Sequence, residues 1–249
     1  MASRHEEEAE QNLRIWREKP ILRAVYAQAF ARIDRWIDPA IPGTIVEIGS
    51  GLGNFSEYRS GVVATDRFLQ PWLNVALDGY VLPFRDGTLS HLILIDVFHH
   101  LAAPFRFFEE ARRTLRPGGR VILYEPYVSV ASVIPYGLLH AEGINWRAEV
   151  NLPLSDGGYG YYAAQGNATR FFFQRSDWLE GWRIVERQRF AAFAYMLSGG
   201  FSHAALYPRS LLPLLNKADE LLSQFPRLFG ARCMVLLEHV SSSEMRSDP

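Results

Sequence analysis

Cysteine is nearly absent from this chain. Cys233 is the single cysteine among 249 residues, so the sequence excludes an internal disulfide and suits a reducing compartment. Its neighbours form the apolar run "CMVLLEHV", which predicts a buried hydrophobic side chain rather than a reactive thiol. Stability must therefore come from a hydrophobic core, for which 48% hydrophobic residues are ample.

An excess of charge of either sign is also lacking. The chain has 26 Lys and Arg against 27 Asp and Glu, a net charge of −1, which favours neither a nucleic acid nor a basic partner. No apolar run approaches the length of a membrane span, and the charged N-terminus lacks the apolar core of a signal peptide. We therefore predict a soluble, cytoplasmic globular protein without an integral membrane segment, present as a monomer or homodimer.

What the chain does contain is an alternation of apolar strands and helices between residues 44 and 126. Short apolar segments predict strands at 44–49, 61–66, 73–78, 89–96 and 120–126. The amphipathic pattern of 103–115 predicts a helix that is ended by Pro117, Gly118 and Gly119. Such an alternation indicates a parallel sheet with helices on both faces.

Helical and strand-like segments flank this region on both sides. Helical spacing over 5–37, divided by Pro20, predicts two N-terminal helices. Strands are predicted at 182–195 and 233–240, with a helix near 209–225 between them, and the two strands are expected to pair antiparallel. The predicted domains are a helical cap at 1–40, one domain at 41–240 with a substrate-side insertion at about 127–180, and a disordered tail at 241–249.

Three glycines at alternate positions follow the first strand, in "TIVEIGSGLGNF" (44–55). Glycine permits a close backbone approach to a ligand, and the next helix offers its N-terminal N–H groups to an anion. The spacing is G-x-G-x-G, and Asn54 stands where the dinucleotide-binding pattern G-x-G-x-x-G has its last glycine. The loop therefore differs from that of a pyrophosphate binder.

An acidic residue, Glu47, stands inside the strand that precedes these glycines. In open α/β sheets the ligand binds at the carboxyl ends of the strands, where a carboxylate repels a pyrophosphate and attracts a cation. S-adenosylmethionine, with its sulfonium and α-ammonium groups, is such a partly cationic ligand. The alternative is that Glu47 forms a structural ion pair at the end of the strand.

Four segments, taken together, resemble the class I S-adenosylmethionine-dependent methyltransferases, specifically the small-molecule, type 11-like group. In order they are "VEIGSGLG", "VVATD", "ALDGYVLPFRDGTLSHLILIDVFHHL" and "EEARRTLRPGGRVILYEP", within residues 40–126. The resemblance implies an α/β, Rossmann-like, doubly wound and mostly parallel sheet of seven strands with the last strand antiparallel. N-terminal helices and an insertion after the fifth strand complete this expected fold.

The resemblance also implies S-adenosylmethionine as the cofactor and a role for each matching residue. Asp66 would accept hydrogen bonds from the ribose hydroxyls, and Asp78 would accept one from the adenine amine, with Gly79 beside the base. Asp96 and Val97 would lie near the methionine part and the transferred methyl group. The full set of predicted cofactor-binding residues is Glu47, Gly49, Ser50, Gly51, Asp66, Arg67, Asp78, Gly79, Asp96 and Val97.

Candidate catalytic residues follow the fourth and fifth strands. His99, His100 and Glu125 stand at the edge of the sheet where an acceptor would enter, and His140 lies in the insertion. A histidine with a near-neutral pKa suits the removal of a proton from a hydroxyl acceptor. The alternative for His99 and His100 is a structural start of the next helix. No spacing of His, Cys, Asp and Glu predicts a metal site.

Three functional hypotheses remain open from the sequence. The leading one is methyl transfer to a small hydroxylated molecule, such as a sugar-like metabolite. The second is a nicotinamide-dependent oxidoreductase on a similar sheet, and the third is a non-catalytic module that keeps the cofactor pocket. The absence of a basic face, and of an N-P-P-Y-like motif at "IDVF", argues against methylation of nucleic acid.

Overall fold

The computed structural model describes residues 2–133, 144–151, 162–174 and 179–240. Its strands are β1 (Thr44–Ile48), β2 (Val62–Asp66), β3 (Val75–Ala76), β4 (Leu89–Ile95), β5 (Leu115–Pro126), β6 (Trp182–Phe190) and β7 (Arg232–His239). Its helices are α1 (Ala2–Glu18), α2 (Pro20–Asp34), α3 (Asn54–Tyr58), α4 (Pro104–Thr114), α5 (Phe193–Leu197), α6 (Leu212–Leu222) and α7 (Pro226–Phe229). Helical turns at Asn167–Thr169 and Arg170–Gln174 represent part of the predicted insertion.

The seven strands form one sheet in the order β3-β2-β1-β4-β5-β7-β6. Strands β1 to β5 are parallel to one another, and β7 is antiparallel to both β5 and β6. This confirms the predicted Rossmann-like sheet and the antiparallel pairing of the two late strands. The strand order reverses between β1 and β4, which opens a crevice at their carboxyl ends where open α/β sheets bind ligands.

Both faces of the sheet are covered. Along β4, Leu92 and Leu94 belong to a core layer that includes Phe107 of α4, whereas Ile93 belongs to the layer on the opposite face, beneath α2. Buried residues of α2, such as Phe30 and Ile33, pack in this second layer. Helix α2 thus packs in the core layer on this face of the sheet. The sequence analysis had assigned it to an N-terminal helical cap at 1–40.

Local sequence explains where two of the helices begin. Pro20 and Pro104 occupy the first turns of α2 and α4, where a missing N–H leaves no hydrogen bond unmade. The predicted division of the N-terminal region at Pro20 is therefore confirmed. None of the described helices has both the length and the apolar character that a membrane-spanning helix requires.

The structure differs from the sequence prediction in three elements. Strand β3 is limited to Val75–Ala76. Residues 116–119 form a bulge in β5, because Leu115 pairs with Leu89 of β4 and the next paired residue, Arg120, pairs with His91. Residues 193–195, predicted as strand, begin helix α5 instead. The reason is distant in sequence, because the Asp219 carboxylate accepts hydrogen bonds from the N–H groups of Phe193 and Ala194. The predicted tail at 241–249 lies outside the described residues.

Candidate functional site

A cavity of about 680 Å³ opens at the carboxyl ends of β1, β2 and β4. Its lining includes these predicted site residues: Gly49, Gly51, Asp66, Arg67, Asp78, Gly79, Asp96, Val97, His99 and His100. The fold therefore brings together, from four separate segments, most of the residues that the sequence analysis selected. Glu47, Ser50 and Glu125 lie outside this lining, and His140 lies outside the described residues.

The glycine loop forms one wall of the cavity. At Gly49 the backbone φ is +67°, and a Cβ there would lie 2.6 Å from Cγ2 of Val97, so the close approach of the loop to β4 requires glycine. At Gly51 the φ is +54°, and a Cβ would meet nothing within 4 Å. A side chain at Gly51 would thus project into open space beside the loop, which leaves room for a ligand.

Two acidic residues at the strand ends stabilise the same wall. The Asp66 carboxylate accepts hydrogen bonds from the N–H of Gly51 at 2.9 Å and from its neighbour Arg67 at 2.6 Å, so it ties the glycine loop to β2. The Asp78 carboxylate accepts one from the N–H of Tyr80 at 2.9 Å. A carboxylate has about four lone-pair positions. Both acids therefore keep the capacity to accept hydrogen bonds from ligand hydroxyl or amine groups.

Glu47 lies beneath the glycine loop rather than on the cavity surface. Its side chain is 3% exposed, and burial raises its pKa to about 8. Its Oε2 atom has no hydrogen-bond partner among the described residues. The Ser50 hydroxyl donates to the Glu47 carbonyl oxygen at 3.2 Å and accepts from the Thr65 N–H at 3.0 Å, so Ser50 supports the loop from below.

This environment changes the electrostatic picture that the sequence suggested. At neutral pH and without a cation nearby, the Glu47 carboxyl is largely protonated, not a permanent charge. A cationic group bound above the loop would favour its ionised form. A buried acid with one unpartnered oxygen among the described residues, beneath a loop with open space beside it, fits a ligand with a positive charge.

His99 and Glu125 form a buried hydrogen-bonded pair at the ends of β4 and β5. Glu125 is fully buried, and its Oε1 atom accepts hydrogen bonds from the N–H groups of Val97 at 2.8 Å and Phe98 at 2.7 Å. Its Oε2 atom lies 2.6 Å from Nδ1 of His99, whose ring lines the cavity. A carboxylate oxygen this close to Nδ1 restrains the orientation of the ring and favours the tautomer in which Nδ1 donates to Glu125.

The described part of the insertion is attached to the same histidines. The His100 Nδ1 donates to the carbonyl oxygen of Tyr162 at 2.9 Å, and the N–H of Ala164 donates to the carbonyl of His99 at 2.9 Å. Tyr162 and Gln165 consequently line the cavity next to the two histidines. This contact connects His100 to the insertion.

Arg232 is a cavity residue that the sequence analysis missed. It is 2% exposed at the start of β7, forms an ion pair with Asp96, and lies with its guanidinium 4.3 Å from the ring centroid of Tyr195. Asp96 has φ +57°, a conformation that few residues other than glycine adopt. A second cavity, of about 320 Å³, is also lined by Arg232 and Tyr195, so these two side chains stand between the cavities. The sequence feature that could have identified Arg232 is its place as a positively charged residue directly before the apolar strand, in "ARCMVLLEHV".

The cavity also has a wall that strand-based reasoning did not anticipate. Glu8 and Asn12 come from α1, whereas Phe201 comes from the glycine turn after α5. Trp16 of α1 stacks on Phe201, with ring centroids 6.4 Å apart, and connects these two segments. Regions far apart in sequence thus close the cavity on the side opposite the glycine loop.

Ligand-type atoms of Asp96, His99 and Glu125 lie within 4.8 Å of one another, which raises the question of a metal centre. Glu125 already accepts two backbone hydrogen bonds and one from His99, and Asp96 is paired with the Arg232 cation. The positive charge of the Arg232 guanidinium, which is paired with Asp96, would repel a metal cation at these side chains. The contacts therefore favour a hydrogen-bonded network in place of a metal site.

Comparisons with known proteins agree with this geometry. Residues 46–123 match the family model described as a methyltransferase domain. The mouse protein named "Probable tRNA methyltransferase 9B" is 28% identical over 120 residues, which cover 42% of this chain and 27% of that protein. The chain thus corresponds to about a quarter of the length of this relative.

Solved structures also include chains that are similar to this one. A Haloferax volcanii complex of the Trm112 methyltransferase activator with a methyltransferase contains a chain with a TM-score of 0.50 and 18% identity, covering 94% of this chain and 95% of that one. A SAM-dependent methyltransferase from Archaeoglobus fulgidus has a TM-score of 0.49 and 15% identity, over 87% of this chain and 94% of that one.

The family match lies over the segments that carry the cavity. It begins in β1, includes the glycine loop and the acids of β2 and the following turn, and ends in β5. These are the elements that the motif analysis assigned to the cofactor, and the match favours a methyltransferase over a nicotinamide-dependent oxidoreductase. Over residues 46–123 the chain thus matches a methyltransferase domain, the kind of domain that the motif analysis predicted.

Proposed function

We propose that this enzyme methylates a hydroxyl oxygen of a small molecule, with His99 as the general base. The observation that carries the proposal is the pair formed by His99 and the fully buried Glu125 at the cavity wall. A base has to be oriented as well as basic, and Glu125, itself held by two backbone N–H groups, restrains the imidazole in one orientation and one tautomer.

The cofactor residues are proposed on the same geometry. Gly49 and Gly51 bring the loop backbone to the ligand, Asp66 accepts hydrogen bonds from the ribose diol, and Asp78 accepts one from the adenine amine. Glu47 compensates positive charge from below, and Asp96 and Val97 flank the methionine part. When bound, S-adenosylmethionine supplies an electrophilic methyl group on a sulfonium. Alignment of the acceptor with that group is the main task of the protein.

The acceptor side of the cavity favours a small, partly polar molecule. Its walls carry aromatic rings with polar tips, Tyr162 and Tyr195, together with Phe201 and the amide of Gln165. Such rings contact sugars and planar rings alike. In the reaction the acceptor hydroxyl gives its proton to His99 while the oxygen receives the methyl group.

RNA is the competing acceptor class, because the matched curated relatives are named as tRNA methyltransferases. The net charge of −1, and the acid Glu8 at the cavity, favour a small acceptor over a phosphate backbone. The interpretation as a small-molecule enzyme therefore remains our proposal, and the experiment below includes RNA.

The test uses S-adenosylmethionine with a labelled methyl group and two sets of acceptors. One set contains hydroxylated small molecules, such as phenols and sugar nucleotides, and the other contains unmodified tRNA. We expect label in a small hydroxylated product. Label confined to RNA would contradict the proposed substrate class, and label at nitrogen or carbon of the small product would contradict O-methylation.

The role of His99 is tested with His99→Gln against His203→Gln, an exposed histidine outside the cavity lining. General-base catalysis is typically worth about 100- to 10,000-fold, so kcat of the His99 variant should fall by at least about 100-fold. Its affinity for S-adenosylhomocysteine should remain within about threefold of the parent. An unchanged kcat and pH profile would exclude His99 as the base.

A further inference from the structure

We infer that Arg232 is a positioning residue that balances the charge of Asp96 beside the methyl donor. This inference rests on the proposed function, because it takes Asp96 to lie near the sulfonium. The structure places the Arg232 guanidinium and the Asp96 carboxylate in one ion pair at the cavity wall. Neither the family motifs nor the sequence analysis assigned a role to Arg232.

Besides the ion pair, two kinds of contact determine the position of Arg232. In the backbone, Arg232 is paired with Pro126 of β5 and with Phe190 of β6, so it lies at the start of β7, between the ends of these two strands. Its guanidinium lies over two aromatic rings, 4.3 Å from the centroid of Tyr195 and 5.3 Å from that of Tyr124. These rings leave the buried cation little freedom to move away from Asp96.

Asp96 is held equally firmly. It follows β4 with φ +57°, and its N–H donates to the carbonyl oxygen of Tyr124 at 2.9 Å, which ties the tip of β4 to β5. Its side chain is 27% exposed, whereas that of Arg232 is 3% exposed. The carboxylate thus faces the cavity from a sparsely populated backbone conformation, with the arginine behind it. Strained residues of this kind concentrate at functional sites.

The physical reason for such a pair lies in how charge changes during methyl transfer. The acceptor oxygen forms a bond to the methyl carbon, the carbon–sulfur bond breaks with its electron pair going to sulfur, and the acceptor proton leaves to the base. Sulfur begins as a cation and ends as a neutral thioether. A carboxylate without a counter-charge would attract the starting state more than the transition state and so slow the reaction. Arg232 removes this excess attraction while Asp96 keeps its hydrogen-bonding oxygens.

S-adenosylmethionine and S-adenosylhomocysteine make the inference testable without a known acceptor. Both carry the α-ammonium and the carboxylate, but the sulfonium charge is confined to S-adenosylmethionine. The ratio of their dissociation constants, measured by calorimetry, therefore reports the field at sulfur. In Arg232→Gln no guanidinium charge opposes the attraction between Asp96 and the sulfonium. We therefore expect the preference for S-adenosylmethionine to rise about five- to tenfold, the size of effect expected for one partly screened pair of charges.

Three further variants separate charge from structure. Arg232→Lys keeps the positive charge and should keep the ratio within about twofold of the parent. Asp96→Asn removes the negative charge while Arg232 keeps its positive charge, and it should shift the ratio in the opposite direction. The double variant, Arg232→Gln with Asp96→Asn, should return toward the parent ratio. Arg189→Gln is the matched control, because Arg189 also lies over aromatic rings, those of Tyr127 and Phe173, but does not line the cavity.

The outcomes distinguish this inference from the proposed function. Equal weakening of both ligands in Arg232→Gln, with no change in their ratio, would show a merely structural role and overturn the inference. Failure of the parent protein to bind either ligand would overturn the proposed cofactor site itself. If Arg232→Gln does not fold, Arg232→Lys and Asp96→Asn still give opposite predictions, and an unchanged ratio in Asp96→Asn would overturn the inference.

Discussion

At the residue scale, two glycines of the same loop have different physical reasons to be glycine. Both have positive φ, but a Cβ at Gly49 would collide with Val97 at 2.6 Å, whereas one at Gly51 would meet open space. The first glycine is needed for packing and the second for access to the ligand. Substitution should therefore separate stability from binding.

We expect Gly49→Ala to lower both the melting temperature and cofactor affinity, because the loop must move away from β4. Gly51→Ala should cost only about 1–2 kcal/mol of stability, the penalty of positive φ, while S-adenosylhomocysteine affinity falls at least tenfold. Thermal unfolding measures the stability of the two variants, and calorimetry measures their affinity for S-adenosylhomocysteine. Equal loss of stability in both variants would contradict the distinction.

Glu47 gives a pH dependence whose sign follows from its raised pKa. The carboxyl has an ordinary value of 4.5 and a folded-state pKa of about 8, so the folded chain binds this proton more tightly than the unfolded chain does. Its contribution to stability is complete below pH 4.5 and is lost as pH rises through 8. The loss is at most about 1.4 kcal/mol per pH unit.

We expect Glu47→Gln to be more stable than the parent at pH 8 and to lose this slope. Measurements of the free energy of unfolding between pH 6.5 and 8 avoid the contribution of His91, whose pKa burial lowers to about 4 and whose own loss of stability occurs at lower pH. Parallel pH curves of parent and variant across this window would contradict a buried, protonated Glu47.

At the scale of elements, helix α4 holds the turn that follows Asp78. Arg113 donates to the carbonyl oxygens of Leu82 at 2.8 Å and Phe84 at 2.9 Å, and Glu110 accepts from the N–H of Leu82 at 2.8 Å. Arg113 and Glu110 are themselves hydrogen-bonded, which lowers the pKa of the Glu110 carboxyl. One turn of α4 therefore positions the proposed adenine side of the cavity.

Arg113→Ala should release this turn without unfolding the domain. We expect faster hydrogen exchange over residues 79–84 and weaker binding of S-adenosylhomocysteine by about three- to tenfold, with about 1 kcal/mol lost in stability. Arg112→Ala, on the exposed side of the same helix, is the matched control and should leave exchange and binding unchanged. Unaltered exchange at the turn in Arg113→Ala would show that α4 does not hold it.

At the scale of the whole molecule, the cavity is assembled from the first, central and last thirds of the chain. Ligand binding should therefore stabilise the complete domain. At 100 times its dissociation constant, S-adenosylhomocysteine should add about 2.7 kcal/mol to the free energy of unfolding. For a domain of this size this corresponds to a rise of roughly 5–10 °C in melting temperature.

The matched measurement uses NADH at the same concentration. NADH should give no rise in melting temperature, since the loop lacks the last glycine of a dinucleotide binder and lies over a buried acid. Stabilisation by NADH and none by S-adenosylhomocysteine would reverse the choice of cofactor. The predictions of a monomer or homodimer and of cytoplasmic location remain predictions, and light scattering tests the first of them.

The sequence by itself determined the parallel strands β1, β2, β4 and β5, the two N-terminal helices and helix α4, because periodicity and the placement of proline and glycine are local properties of the chain. It could not determine that Asp219 would begin a helix within 193–195, that Glu125 would orient His99, or that Arg232 would pair with Asp96. Such contacts join residues 26 to 136 positions apart. They were decided by the tertiary structure, because burial brings those charges together and leaves each one few partners.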